Sequence, residues 1–320
     1  MNKVERMQAV FAGQEPDRVP AGFWFHYPQG LSLEERAQAH VDLCRSVGTD
    51  IIKIMDDNFG RFFTQGIRIE KASDWRHIRL PGKDCAHYRH MTGLIQRILD
   101  KSGGEAMVFP TMWSPFKIAS FTYTDGGGTD QQFMAHCKED PASVLEGIRA
   151  LTETLQEWAR DYLELGSSGL YYSGQFSEPQ RFSEEEWARL VKPSDLAVLE
   201  VTKEIPGKYN IVHICGEMEF GFQSSPRRYG GYPGDLFNWD VHRTGLSLEE
   251  GRELFQKPIL GGLDNHGVLV EGSLEAIRQE TLKIIKAMGK RGFMLGADCT
   301  VPGEIDWARL RAAVEAAAEV

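Results

Sequence analysis

The 320-residue chain predicts a single (β/α)8 barrel, a TIM barrel, with residues 1–320 as one domain. Three observations carry this. Eight short apolar runs recur along the chain, mostly separated by stretches of helical periodicity, with connections long enough for right-handed crossovers. The runs end in side chains suited to chemistry (Asp56, Trp113, His213, Cys215, Asp240, Asp264, Cys299), at the strand ends where such a barrel keeps its active site. The rival architecture, an open doubly wound sheet, usually carries a Gly-rich fingerprint after its first strand, and none is present.

The elements follow in order. Residues 3–12 read as a short amphipathic helix stopped by Gly13, and residues 15–20, with two prolines, turn into a first strand at 21–26. Ser32 and Glu35 make a capping box for a helix running to about Val47. The second strand, 51–55, ends in Asp56, Asp57 and Asn58; a polar, aromatic-containing excursion fills 60–84, and 85–102 includes another helix. The third strand, 106–113, contains Pro110, which has no backbone donor and predicts a bend or bulge. A Gly-rich loop at 125–129 interrupts the next crossover. Val144, Ile148, Leu151, Leu155, Trp158 and Tyr162 then fall in helical register. The fourth strand is 169–174; Ser183 with Glu186 caps the helix that leads to the fifth, 210–216. The sixth is 236–240, followed by a capping box at Ser247 and Glu250; the seventh is 258–264, followed by a helix at 273–288; the eighth is 292–298, and a helix at 306–318 closes the chain.

Composition narrows the function classes. Hydrophobic residues at 42% and charged residues at 26% suit a buried core under a polar surface. The 36 basic against 46 acidic residues leave a net charge of −10 with no basic block, which excludes sequence-independent nucleic-acid binding and disfavours an anionic membrane surface. The mixed-charge start is not a signal peptide, and no apolar run reaches the length of a membrane span. Five widely spaced cysteines, an odd number, suit a reduced cytoplasm with thiols free for metal better than a disulfide framework. A cytoplasmic protein, with homo-oligomerisation left open, is the expectation.

His213 and Cys215 lie two residues apart on the fifth strand, so both point to one face at its C-terminal end. Cys299 closes the eighth run. One imidazole and two thiolates form a nitrogen-and-sulfur donor set that suits zinc. A catalytic zinc keeps its fourth position for water or substrate; Asp240 is the preferred protein candidate for that position, with Glu217 and Glu219 as alternatives. His26, Trp113, Tyr172, Gln175, Asp264 and His266 sit at or just beyond strand ends as candidate pocket residues, His266 being the most plausible further acid or base. The segment after Cys215, rich in Gly and aromatics from Phe220 to Tyr232, reads either as a substrate lid or as an irregular loop; within it Arg227 and Arg228 are candidates to hold an anion or a simple solvated pair.

The pattern His213-Ile214-Cys215-Gly216 with Cys299 resembles the uroporphyrinogen decarboxylase superfamily, and within it the zinc-dependent corrinoid methyltransferases of the methylcobalamin:coenzyme M type. Arg6-Met7-Gln8-Ala9-Val10-Phe11-Ala12-Gly13 with Asp17-Arg18-Val19-Pro20 is similar to the superfamily's opening segment, Phe182–Trp187 with Val191-Lys192-Pro193 to its approach to the fifth strand, and Gly261-Gly262-Leu263-Asp264 to its seventh strand. The resemblance implies a methyl group moved between a corrinoid (methylcobalamin) and a small thiol or other acceptor, with zinc activating the thiol or polarising the donor. Nothing in the chain resembles a corrinoid-binding domain, so the corrinoid is expected on a partner protein. In the decarboxylase branch an Asp near Asp56 and Asp57 steers the substrate, which implies a second reading: a metal-independent decarboxylase or lyase acting through Asp56 or Asp57 and His266. The first strand, 21–26, lacks the arginines that hold porphyrin carboxylates, which argues against a porphyrinogen as substrate. A third reading makes the zinc structural and the barrel a binding module.

Overall fold

Parallel strands follow one another around a nearly closed barrel: β1 (Ala21–Gly22), β2 (Ile51–Ile54), β3 (Met107–Trp113), β4 (Gly169–Gly174), β5 (Tyr209–Ile214), β6 (Leu236–Trp239), β7 (Ile259–Leu263) and β8 (Phe293–Ala297). The computed structural model describes residues 1–57, 68–216 and 222–320; Asn58, Glu217, Glu219 and Phe220 lie outside them. Helices fill the crossovers, the longest being Pro141–Glu164, whose buried face carries the six residues picked out by periodicity. The strands are buried on both faces, as a parallel sheet covered by helices requires. Among the described residues no helix is long and apolar enough to cross a membrane.

Neighbouring strands pair in parallel from β1 through β8 and back to β2, leaving one seam between β1 and β2. Asp50 closes it. Its backbone N–H donates to the Ala21 carbonyl at 2.7 Å, and its carboxylate accepts the Ala21 N–H at 2.8 Å. That carboxylate is fully buried, and Arg6 (2.6 Å) and Arg18 (3.0 Å) supply the charge it needs there. The conspicuous arginines of the opening segment therefore hold the barrel shut at its N-terminal end.

The expected elements are recovered with corrections. The three capping boxes at Ser32, Ser183 and Ser247 are all formed. The first strand is shorter than expected: only Ala21 and Gly22 pair with β8, after which the Trp24 carbonyl accepts the Val301 N–H and the chain leaves the ladder. Pro110 produces no break. The β2 ladder ends at Pro110 and the β4 ladder begins at Thr111, so the missing donor falls where one partner gives way to another. Two helices, Pro115–Asp125 and Asp130–Glu139, flank the Gly-rich loop. At the start of β4 a Cβ on Gly169 would lie 1.8 Å from the Tyr209 carbonyl oxygen, so this pair of strands can approach only at glycine.

Behind β4, Tyr172 and Tyr232 donate to Asp195 at 2.5 and 3.0 Å. Burial nonetheless pushes this carboxyl up to about 7, the two hydroxyl donors only partly offsetting it. The folded protein thus keeps a proton that the unfolded chain releases in the ordinary carboxylate range. The stability this contributes is complete at low pH and is lost as pH rises towards about 7. Asp195→Asn should flatten that decline, read as the denaturant midpoint between about pH 4 and about pH 8; the same slope in variant and wild type would contradict this account of Asp195.

Candidate metal centre

β5 delivers His213, paired in register with Ser173 on β4 and Asn238 on β6. Cys215 lies one residue beyond the strand, but its N–H still donates to the Gly174 carbonyl at 3.0 Å. The extended geometry therefore continues, and the thiol falls on the same face as the imidazole. The turn that follows is tight: a Cβ on Gly216 would lie 2.6 Å from the Asp240 Cβ. Cys299 follows β8 and is buried, with its Sγ 3.4 Å from His213 Nε2.

One ligand atom from each of His213, Cys215 and Cys299 lies within 4.8 Å of the other two, the only such His/Cys/Asp/Glu group among the described residues. Bonds of about 2.0–2.3 Å to a tetrahedral zinc put ligand atoms roughly 3.3–3.8 Å apart. The His213 Nε2–Cys299 Sγ distance of 3.4 Å falls in that range, the donor chemistry fits that ion, and a pair of soft sulfur donors disfavours magnesium or calcium.

The imidazole is oriented by the residue opposite it. Asn238 Nδ2 donates to the carbonyls of Leu260 (2.9 Å) and Ala297 (3.1 Å), which uses both its hydrogens. The amide oxygen must then face His213 Nδ1, 2.5 Å away, and it also accepts from the Tyr171 hydroxyl at 3.4 Å. An oxygen there admits only a donor, so His213 carries its hydrogen on Nδ1. The lone pair is left on Nε2, the nitrogen beside Cys299.

These residues border a cavity of about 650 Å³ at the C-terminal mouth of the barrel. Trp24 packs edge-on against Tyr171, ring centroids 5.0 Å apart, and Tyr171 lies 5.8 Å from the His213 ring. Burial holds the Tyr171 phenol protonated, well above its ordinary range. Lys53 enters from β2 with its Nζ 4.8 Å from the Tyr171 centroid. Burial lowers this amine to about 8, opposed by the nearby Cys299, Asp57, Asp56 and Cys215. Asp56 receives the Trp113 indole N–H on Oδ2 at 3.0 Å, with His87 Nε2 3.6 Å away, while its buried Oδ1 has no hydrogen-bond partner among the described residues.

Of the residues expected in the pocket, His26, Asp56, Trp113, Gln175 and His266 line it beside the metal group. Others are committed elsewhere. Asp57 is buried against Arg36 and accepts from His26 Nδ1 at 2.9 Å, so it reaches the cavity only through His26. Tyr172 points outward to Asp195; strand alternation gives the inward positions to Tyr171 and Ser173 instead. Asp264 accepts the His266 N–H at 2.9 Å and borders a separate surface depression with His242. Asp240 caps the short helix Val241–Thr244, accepting the Arg243 N–H at 2.8 Å, and stands outside the three-residue group. Glu217 and Glu219, the alternative fourth ligands, lie outside the described residues.

Within the described part of the aromatic segment, Arg228 binds Glu184 at 2.9 Å and Arg227 meets Glu250 at 3.4 Å, so neither turns to the cavity. Tyr229 and Tyr232 are buried against Trp187. The residues missed from the sequence are Trp24, Lys53, Tyr171 and Asn238. Two carried a signal: a lysine inside Ile51-Ile52-Lys53-Ile54 and an asparagine inside Leu236-Phe237-Asn238-Trp239 are polar breaks in buried strands.

The sequence model of the family described as Uroporphyrinogen decarboxylase (URO-D) matches residues 55–320, beginning after the Arg6–Pro20 segment. The fold is similar to that of a methyltransferase from Methanosarcina mazei, 14% identical over 100% of this chain and 99% of that one, with a TM-score of 0.81. It is also similar to a B12-independent methionine synthase from Shewanella sp. W3-18-1 (15% identity, 94% and 95% coverage, TM-score 0.57). A putative vitamin-B12-independent methionine synthase from Listeria monocytogenes gives 15% identity, 94% and 98% coverage and a TM-score of 0.54. At these identities the likeness is one of fold. No curated protein matches the chain.

The Asn238 geometry is directly measurable. Histidine-selective ¹⁵N NMR of metal-free protein should find His213 as the Nδ1–H tautomer at neutral pH, with Asn238→Ala losing that bias. A wild-type His213 carrying its hydrogen on Nε2 would contradict the assignment.

Proposed function

The chain belongs to the uroporphyrinogen decarboxylase family, and on that footing we propose that it is a zinc-dependent methyltransferase. It moves a methyl group between a corrinoid held by a partner protein and a small thiol or other small-molecule acceptor. The observation that carries the reading is the convergence of His213, Cys215 and Cys299 at the mouth of the barrel, beside a cavity rather than inside the core. Among the structural neighbours are a methyltransferase and two proteins named as B12-independent methionine synthases, one of them putative, which supports methyl transfer but not the corrinoid.

When bound, zinc supplies Lewis acidity, which lowers the pKa of a thiol or polarises the atom that carries the methyl group. The remaining roles belong to the chain. His213, Cys215 and Cys299 would hold the ion beside the cavity. Trp24 and Tyr171 exclude water, so a sulfur nucleophile is poorly hydrated and more reactive. Asp56 borders the same cavity, where its Oδ2 holds the Trp113 indole N–H in place.

A second reading keeps the cavity and drops the metal: a lyase using Asp56 and His266, both of which line it. A structural zinc is less well supported, because a clamp gains nothing from bordering an open cavity and structural sites are closed.

Purified protein should carry about one zinc per chain, lost in His213→Ala, Cys215→Ser and Cys299→Ser. Cys299→Ser should also abolish methyl transfer from methylcobalamin to a small thiol while shifting the melting temperature by no more than about 2–4 °C, the effect of roughly 1 kcal/mol in a chain of this size. Activity that survives chelation would refute the methyltransferase reading, and wholesale unfolding of the variant would make the zinc structural.

A further inference from the structure

Among the described residues three histidines line the cavity: His26, His213 and His266. His213 belongs to the candidate metal group and keeps its Nδ1 hydrogen on Asn238. Of the other two, only His26 has a carboxylate oxygen within 4 Å among the described residues, Asp57 Oδ1 at 2.9 Å from its Nδ1. Asp57 is buried, and its second oxygen is held by Arg36, which is buried too and donates to the Pro28 carbonyl at 3.1 Å. A carboxylate engaged by a guanidinium can only accept, so His26 carries its hydrogen on Nδ1 and Nε2 becomes its basic nitrogen. The neighbouring chain fixes where the ring stands. The Trp24 carbonyl accepts the Val301 N–H at 3.0 Å, and a Cβ on Gly303 would lie 2.7 Å from the His26 carbonyl oxygen. Residues 24–26 therefore run beside 301–303, the continuation of the segment that carries Cys299. The ring itself is half-exposed, between cavity and solvent.

Lewis acidity makes a thiol more acidic but does not accept the proton it gives up. Other groups on the wall are poor acceptors. Burial keeps the Tyr171 phenol protonated, Lys53 at about 8 remains an ammonium at neutral pH, and Asp56 Oδ2 is engaged by the Trp113 indole. We propose that His26 is the proton carrier of this site, a catalytic residue, and that Asp57 positions it. When a thiol is the methyl acceptor, its S–H bond breaks, the electron pair stays on sulfur, and an N–H bond forms at His26 Nε2. When the methyl group leaves an oxygen or a sulfur, that N–H bond breaks and the proton passes to the electron pair of the leaving atom. In either direction the imidazolium forms against the Asp57 carboxylate, so its charge is compensated where it arises. The proton transfer rests on the methyltransferase reading; the Nδ1 hydrogen and its orientation by Asp57 do not.

Two measurements on full-length protein test this. In the metal-free protein at about pH 8, where an ordinary imidazole is neutral, histidine-selective ¹⁵N NMR should find the His26 hydrogen on Nδ1. Asp57→Asn should reverse it, because Arg36 takes the amide oxygen and turns the NH2 group to His26. A wild-type hydrogen on Nε2, or the same tautomer in variant and wild type, would overturn the proposal without touching the zinc reading. In the zinc-loaded protein, calorimetric titration with 2-mercaptoethanol at about pH 7, in buffers of low and high ionisation enthalpy, counts the protons released per thiol bound. Wild type should release well under one, because His26 keeps the proton, and His26→Gln about one. A full proton from wild type would overturn the proposal even if His26→Gln failed to fold, and equal counts from both would do the same. Either result leaves thiol binding, and so the methyltransferase reading, in place. Failure of wild type to bind the thiol would instead refute that reading, and the proton transfer with it.

Discussion

A single side-chain contact sets the chemistry of this barrel: the hydrogen bond from His213 Nδ1 to the amide oxygen of Asn238. An imidazole at a strand end can present either nitrogen, and only one choice makes a ligand beside two thiols. Asn238 makes the choice because its own orientation is not free. Its NH2 group is held by the Leu260 and Ala297 carbonyls on β7 and β8. Strands far apart in sequence thus fix the orientation of one ring, and the strand that ends just before Cys299 is one of them. The arrangement parallels the outer hydrogen bonds that orient metal-binding histidines elsewhere.

Around that centre the cavity is electrostatically unusual for a chain with a net charge of −10. Its wall combines the rings of Trp24 and Tyr171 with the buried amines of Lys53 and Lys117, while Asp57 is already spent on Arg36 and His26. If zinc binds there as proposed, two thiolates and a neutral imidazole would balance its charge. Asp56, just beyond the end of β2, also borders the cavity and holds the Trp113 indole at its wall.

Much of the architecture was legible in the amino-acid sequence because barrel strands announce themselves as apolar runs with reactive ends, and the serine capping boxes mark helix starts by local hydrogen bonding alone. The convergence of His213, Cys215 and Cys299 was legible for the same reason: the His213–Cys215 spacing is a two-residue period, and Cys299 joins them because parallel strands end at one rim. What escaped depends on facts that a linear reading does not hold. Tyr171 and Tyr172 differ by one position, and only the strand register decides which faces the cavity. Asp240 is a helix cap and Asp57 an ion-pair partner because of neighbours supplied by the local turn and by Arg36. The lone lysine of β2 and the asparagine of β6 were visible as anomalies, but their meaning required the neighbouring strands.

The most direct test of the account is X-ray absorption at the zinc edge on zinc-loaded protein. The account predicts a first shell with two sulfurs at about 2.3 Å and one imidazole nitrogen at about 2.0–2.1 Å, completed by one light atom that a third sulfur replaces when a small thiol is added. A shell of oxygen and nitrogen only, or a four-ligand protein shell unmoved by thiol, would contradict it.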